Sequence, residues 1–459
     1  MYEVDFSKPI HIHFIGIGGI SMSGLAEILL KENFTISGSD AKESDLTRHL
    51  TSLGAQVFYG QKAENIIPGI DLVVYTAAIH PDNPEFAAAK AAGIPMLTRA
   101  ELLGQIMRNY NTPIAVSGTH GKTTTTSMLS HILMAANCDP TISVGGILPS
   151  IGGNIRVGHS ETFLTEACEY TNSFLSFFPT LGIILNMDAD HLDFFKDIDD
   201  IRHSFRKFAE LLPADGALII NADTPKYEMV AENLPCKVIT YGLEHDAEYS
   251  ASDIIYDEFG HPTFHVLHNG ADIGICSLKV PGIHNVSNAL ASIAAGRLLG
   301  LDNEVIFAGL KDFGGTDRRF QYKGKIGEVT IIDDYAHHPT EIEATLHAAN
   351  NYPHKKIWCV FQPHTYTRTK ALLPEFAKAL TLADHVVLAD IYAARETDNL
   401  GISSADLQKQ IRELGTPCEY FPTFDEIENF LLENCTQGDL LITMGAGDVV
   451  NIGEQLLGK

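Results

Sequence analysis

Positive charge is scarce in this sequence: 32 Lys and Arg stand against 58 Asp and Glu, a formal net charge of −26. So acidic a surface repels phosphodiester backbones and anionic lipid, which argues against nucleic-acid and membrane-surface partners. A local cradle of backbone N–H groups can still hold a small anion against the global field. Cysteine is sparse and scattered, at Cys138, Cys168, Cys236, Cys276, Cys359, Cys418 and Cys435. The number is odd and no C-x-x-C occurs, which excludes a disulfide frame or zinc ribbon and reads as reduced thiols in a cytosol. No apolar run approaches the ~20 residues of a membrane span. The opening stretch lacks a basic region and turns glycine-rich too early for a signal peptide, so the expected location is cytoplasmic. Low-complexity segments and short-period repeats are missing. The single tryptophan, Trp358, lies in an apolar run and reads as core.

What is present is an ordinary globular composition, 45% apolar and 20% charged over 459 residues. At about 100–200 residues per domain, two to four domains are expected. Short apolar runs such as His11–Ile15, Leu72–Tyr75, Pro113–Val116, Leu181–Leu185, Val329–Ile332, Ile357–Phe361 and Leu440–Thr443 alternate with helical patterns. That alternation predicts an α/β fold with mainly parallel sheets, whose strands are buried on both faces and therefore continuously apolar. Thr263–Leu267 and Ile273–Val280 flank His268-Asn269-Gly270, a hairpin signal. Polar connectors near Arg108–Thr112 and Phe313–Asp317 divide the chain into 1–107, 108–313 and 314–459.

Three glycine-rich transitions follow strands. In the first, His11–Ile15 runs into Gly16-Ile17-Gly18-Gly19 and a helical stretch from Ser23 to Glu32. Its glycines would let a nucleotide diphosphate approach the helix N-terminus, with Ser39 and Asp40 at the end of the next strand suited to ribose hydroxyls. Ser21 stands where the third glycine of G-x-G-x-x-G belongs, and a tight turn without ligand is the other reading. The second, Gly118-Thr119-His120-Gly121-Lys122-Thr123-Thr124, is a shortened P-loop with two residues between its glycines. There backbone N–H groups would wrap phosphates, Lys122 would neutralise them, and Thr123 would reach Mg²⁺. Glu166 follows an apolar run, as befits a Mg²⁺ carboxylate. Asn186-Met187-Asp188-Ala189-Asp190-His191-Leu192-Asp193 lies beyond another strand, where open sheets bind ligands; the alternative is an acidic loop with a helix N-cap at Asp190 or Asp193. The third transition, Gly445-Ala446-Gly447-Asp448, is either a ligand loop or a helix cap.

Taken together with His284-Asn285-x-x-Asn288, Arg318-Arg319-Phe320, Asp333-Asp334-Tyr335-Ala336-His337-His338-Pro339 and Gln362-Pro363-His364-Thr365-Tyr366-Thr367-Arg368, these segments resemble the Mur ligases. Those are ATP-dependent, amide-forming enzymes of bacterial cell-wall precursor synthesis, and the likeness spans nearly the whole chain. It implies a Rossmann-like first domain for a UDP-sugar, a central P-loop ATPase domain, and a Rossmann-like C-terminal domain for the amino acid. The members most alike join L-alanine to UDP-N-acetylmuramate. By the resemblance, Gly16, Gly18 and Gly19 hold the UDP diphosphate, and Thr123, Glu166 and His191 hold Mg²⁺. Gly118–Thr124 with His284, Asn285, Asn288, Arg319 and Asp334 hold ATP, Asn288 reading adenine and Asp334 meeting the ribose. Tyr335, His337 and Arg368 border the alanine site. Lys122 and Arg319 would stabilise charge, and His337 is the candidate base. The implied assembly is a monomer or homodimer whose domains close during turnover.

The sequence departs from the family pattern in places. Cys168, Glu169, Tyr170 and Thr171 depart from the family's acidic run after Glu166. Phe205 falls where sister ligases carry a modified lysine, so none is expected, and Thr365 replaces a common arginine. His338-Pro339 reads as a helix start, His364 as packed or functional, and Phe174, Phe177, Phe178, Phe194 and Phe195 as core or interface. Competing readings are a recycling ligase that attaches a tripeptide to the same sugar, an NAD-dependent oxidoreductase, and a non-catalytic nucleotide sensor. The last two leave Lys122, Asn288 or the metal-site residues without purpose.

Overall fold

The computed structural model describes residues 2–76, 78–394 and 396–459. Its strands form three sheets, one in each of three α/β domains. The first sheet has five parallel strands, in the spatial order Gln56–Tyr59, Thr35–Asp40, His11–Ile15, Leu72–Tyr75, Met96–Thr98. Strand order reverses on either side of His11–Ile15, and that crevice is where doubly wound sheets bind ligands. The helix Ile20–Lys31 follows the glycine turn.

The central sheet has ten strands. Its parallel middle contains Thr112–Ser117, flanked by Leu181–Ile184 and Thr162–Ala167. Both edges are antiparallel, with Thr141–Leu148 against Gly153–Arg156 at one and Tyr249–Tyr256, Pro262–His268 and Ala271–Ser277 at the other. The expected hairpin is present between the last two, and Asn269 (φ 49°) and Gly270 (φ 77°) supply the two positive-φ residues that a tight right-twisted hairpin needs. The third sheet runs Gln321–Ile326, Val329–Asp334, Leu440–Met444, Ile357–Phe361, His385–Leu388, Cys418–Tyr420, parallel except for the first pair.

Packing treats the two domain junctions differently. One apolar cluster joins Leu102 and Ile106, on the helix Arg99–Met107, to Phe174, Phe177 and Phe205 of the central domain. The approach is so close that a Cβ at Gly104 would stand 1.9 Å from the Ser176 carbonyl oxygen. The C-terminal sheet instead packs in clusters drawn from its own residues, around Ile332, Phe361 and Leu388 on one face and Ile331, Trp358 and Val387 on the other. Its buried core is not continuous with that of the central domain, and the contacts across that junction include the polar pairs Arg368–Asp190 and His120–Glu341 beside a Phe259–Tyr352 ring contact.

Several local expectations change. The helix Ile198–Ala209 is capped by Asp197, which accepts from the N–H groups of Asp199 and Asp200, so neither Asp190 nor Asp193 is its N-cap. The Gly445–Asp448 turn does not cap a helix either: the carbonyls of Gly445 and Gly447 accept from Arg318, and the helix Val450–Leu456 begins after it. His338 does start a helix, its Nδ1 accepting from the Thr340 N–H before Pro339–Asn350. Phe174, Phe177 and Phe195 are core, whereas Phe178 and Phe194 are about 40% exposed. Phe205 is fully buried edge-on to Phe174. Trp358 is core, with its indole N–H donating to Asp439.

Candidate active site

The P-loop begins where Thr112–Ser117 ends and leads into the helix Lys122–Ala135. Gly121 must be glycine: its φ is 83°, and a Cβ there would meet Asn288 Oδ1 at 2.8 Å. Asn186 holds the loop from the neighbouring strand end, accepting the His120 N–H at 2.8 Å and donating to the His120 carbonyl at 3.1 Å. The Lys122 ammonium donates to the carbonyls of Gly118 (2.5 Å) and Thr119 (3.1 Å) and to Glu169 (3.0 Å). Burial works against its charge, and the Glu169 carboxylate overrides that, raising the pKa.

Three adjoining cavities run along the junction of the central and C-terminal domains. The middle one, about 550 Å³, is faced by Lys122, Thr123, Glu166 and His191 from one side and Arg319 and His337 from the other. It shares His120, Gly121, Arg319 and Glu341 with a cavity of about 470 Å³ that contains Thr124, His284, Asn285, Asn288 and Asp334. On its other side it shares Asp190, His191, Tyr335 and His337 with a second cavity of about 470 Å³ walled by Arg368. A smaller one of about 310 Å³ reaches from Glu166 and Cys168 to Ser21 and Arg99 of the first domain.

Thr123 Oγ1 donates to Glu166 Oε2 at 3.1 Å, and Glu166 Oε1 accepts the Gly145 N–H at 2.5 Å. His191, at φ 52°, packs against Tyr170 with ring centroids 4.4 Å apart and the planes tilted by 32°; its Nε2 is 3.8 Å from Glu169 Oε1, a buried oxygen with no hydrogen-bond partner. Among the described residues no group of three or more His, Cys, Asp and Glu side chains is gathered to grip a metal alone. A cation here would have to be completed by other ligands, as Mg²⁺ commonly is by phosphate and water.

Among the described residues, two ionic bridges cross the junction. Arg368 donates through Nε (3.0 Å) and Nη2 (3.4 Å) to the two oxygens of Asp190. Burial opposes the charge on Asp190, but Arg368 holds the carboxyl far below its ordinary range. His120 lies 3.3 Å from Asp188 and 3.2 Å from Glu341 of the C-terminal domain. Burial would lower its pKa, yet Glu341 and Asp188 push it up to about 9. A histidine raised in the fold contributes stability in full below its unfolded value of about 6.5 and loses it as pH rises through about 9, at most about 3 kcal/mol for this shift. The melting-temperature gap between the wild type and His120→Asn should therefore narrow between pH 7 and pH 9.5. A constant gap would show that His120 is uncharged at neutral pH.

Three models of one family match the chain in succession. The Mur ligase family catalytic domain covers residues 11–111, the Mur ligase middle domain 116–296 and the Mur ligase glutamate ligase domain 318–447. The UDP-N-acetylmuramate–L-alanine ligase of Agathobacter rectalis is 66% identical over 459 residues, with 100% of each chain covered. The chain belongs to the Mur ligase family. A ligase of the same description from Lachnoclostridium phytofermentans is 56% identical over 469 aligned positions, again with 100% of each covered. The structure of the UDP-N-acetylmuramate-alanine ligase of Thermotoga maritima superposes with a TM-score of 0.81 at 30% identity, covering 98% of each chain. A murein peptide ligase from Psychrobacter arcticus superposes at 0.70 and 25% identity, also covering 98% of each.

In this Mur ligase the central and C-terminal residues singled out from sequence come together, and those of the first glycine turn do not join them. The N–H groups of Gly16, Gly18 and Gly19 donate to the Ser39 carbonyl, to Asp40 (2.8 Å) and to the Gly16 carbonyl. Ser39 is buried and its hydroxyl donates to Glu85 at 2.5 Å. Asp40 and Ser39 thus brace the turn from within, and the first-domain residues that line the smaller cavity are Ile20, Ser21, Arg99 and Leu103. Asp334 accepts the N–H groups of Phe320 (2.9 Å) and Ala336 (2.8 Å), and burial raises its carboxyl to about 6. Asn288 donates to Asn285, which donates to the Pro281 carbonyl. Both Arg318 and Arg319 line the middle cavity, but Arg318 is held by Asp333 and the Gly445 turn, and Arg319 alone of the two also lines the cavity of Asn288 and Asp334. Asp190, Glu169, Asn186 and Glu341 escaped the sequence reading as partners of Arg368, Lys122 and His120. The one local signal was Glu341, four residues beyond His337 at the start of a helix.

Proposed function

We propose that this Mur ligase joins L-alanine to the lactyl carboxylate of UDP-N-acetylmuramate with ATP, giving UDP-N-acetylmuramoyl-L-alanine, ADP and phosphate, a step of peptidoglycan precursor synthesis. One observation carries the reading: the P-loop lysine faces, in one cavity, Arg319 and His337 from another domain, and that cavity adjoins pockets on both sides. The full-length relatives supply the substrates by name.

A carboxylate is a poor electrophile, so the lactyl carboxylate oxygen first takes the γ-phosphoryl group and ADP leaves. The alanine amine then attacks the acyl carbon, and phosphate departs from the tetrahedral intermediate. Lys122 and Arg319 face the developing charge, and the three domains position the reactants. Burial lowers the His337 pKa to about 4, against the pull of Glu341, so its ring is neutral at physiological pH. Its Nδ1 lies 3.0 Å from the Tyr335 carbonyl, which only an N–H can satisfy. The lone pair is therefore on Nε2, able to take the amine proton. Thr123, Glu166 and His191 would hold Mg²⁺, and their sparse protein donor set fits a cation completed by phosphate and water. When bound, Mg²⁺ neutralises the phosphate oxygens.

No helix among the described residues is long and apolar enough to cross a membrane, and with the free thiols this supports a cytoplasmic site of action. ADP release tests the function: it should require ATP, UDP-N-acetylmuramate and L-alanine together, and fall in Glu166→Gln at limiting Mg²⁺ with recovery at higher Mg²⁺. Release with a tripeptide in place of alanine would instead identify a recycling ligase, and release without the sugar would refute the reading.

A further inference from the structure

Glu341 stands where the two halves of the site meet. It lies on the helix Pro339–Asn350 of the C-terminal domain, with its side chain 13% exposed. Oε1 is 3.2 Å from His120 Nδ1 in the P-loop and 3.9 Å from Arg319 Nη1. Oε2 accepts the backbone N–H of His337 at 3.0 Å and lies 3.3 Å from its Nδ1. One carboxylate therefore touches the phosphate loop, the arginine that faces it, and the residue assigned as base. His338 adds to the contact, its ring centroid 4.7 Å from that of His120 with the planes tilted by 38°, while Nε2 lies 3.3 Å from the Ala189 carbonyl.

We propose that Glu341 is a positioning residue that completes the site only when the C-terminal domain is docked, by setting Arg319 and His337 against the P-loop through His120. The proposal rests on the ligase reading above. The two domains do not share a continuous buried core, so their docking depends on directional polar contacts that can open and re-form. A carboxylate with both oxygens engaged fixes an angle as well as a distance. When the domains part, His120 leaves and Glu341 keeps only Arg319 and His337, which turns the arginine toward its own domain. A glutamine of the same shape cannot serve an imidazolium and a guanidinium with one neutral oxygen.

The test uses the full chain. In Glu341→Gln, kcat should fall about 10–100-fold, which is about 1.4–2.7 kcal/mol and in the range of a lost charged hydrogen bond, while KM for UDP-N-acetylmuramate stays within twofold. Small-angle scattering with a non-hydrolysable ATP analogue should show less contraction than in the wild type. His120→Asn should reproduce both effects, and the double variant should be no slower than the slower single one, because the two side chains act as one contact. Wild-type kcat in Glu341→Gln, or additive losses in the double variant, would overturn the proposal. If Glu341→Gln fails to fold, unchanged kcat and contraction in His120→Asn overturn it equally. Wild-type protein without substrate-dependent ADP release would sink the ligase reading, whereas the scattering comparison would still decide whether Glu341 governs docking.

Discussion

Replacing Lys122 with alanine should cut ADP formation by at least about a hundredfold to a thousandfold, the usual loss when a preorganised donor is removed from developing charge. Binding of UDP-N-acetylmuramate should survive, because Ser21, Arg99 and Leu103 of the first domain line the smaller cavity and not the one that Lys122 faces. The structure adds a second consequence. Lys122 is the partner of Glu169, whose side chain is only 3% exposed. An unpaired carboxylate buried that deeply costs about 3–5 kcal/mol, so the single variant should also melt at a lower temperature. Adding Glu169→Gln should restore much of the melting temperature and none of the activity. Turnover within tenfold of the wild type in Lys122→Ala would remove Lys122 from the phosphate site.

The second large effect is expected at Arg368. Its fork spans the domain junction to Asp190, with side-chain exposures of 10% and 7%. Arg368→Ala strands a buried carboxylate beside His191 and removes a bridge between the domains. The kcat/KM for alanine should drop about 10²–10³-fold, which is about 2.7–4.1 kcal/mol and comparable to the cost of a broken buried pair. Arg368→Lys should recover little of it, since one ammonium cannot reproduce two parallel N–H contacts. Steady-state kinetics with alanine as the varied substrate decides the matter: near-wild-type kcat/KM in Arg368→Ala would make the bridge incidental, and full rescue by lysine would make it a point charge.

Legibility in the sequence follows the range of the interaction. The strand–loop–helix unit at Gly118–Thr124 was readable because every feature that defines it lies within a dozen residues. The same holds for the Asn269-Gly270 hairpin and for His338-Pro339 at a helix start. Asp40 was readable as an acid at a strand end, but its partner was not: it accepts the Gly18 N–H and braces the turn instead of standing free for a ligand. The Gly445 turn left ligand loop and helix cap both open for a related reason, its carbonyls serving Arg318 more than a hundred residues earlier in the chain.

Local sequence by itself determined the α/β class, the three-part organisation, the strand–loop–helix unit at Gly118–Thr124 and the family resemblance, because hydrophobic period, glycine placement and short motifs act between near neighbours. Only the tertiary structure decided which side chains pair. Asp190 meets Arg368 across 178 positions, Glu341 meets His120 from another domain, and Glu169 rather than solvent faces Lys122. Those pairings depend on how elements far apart in the chain are set against one another, Lys122 and Glu169 within the central domain and the other two pairs across its junction with the C-terminal domain. That setting is made by directional polar contacts whose partners are distant in sequence, so no local pattern carries it.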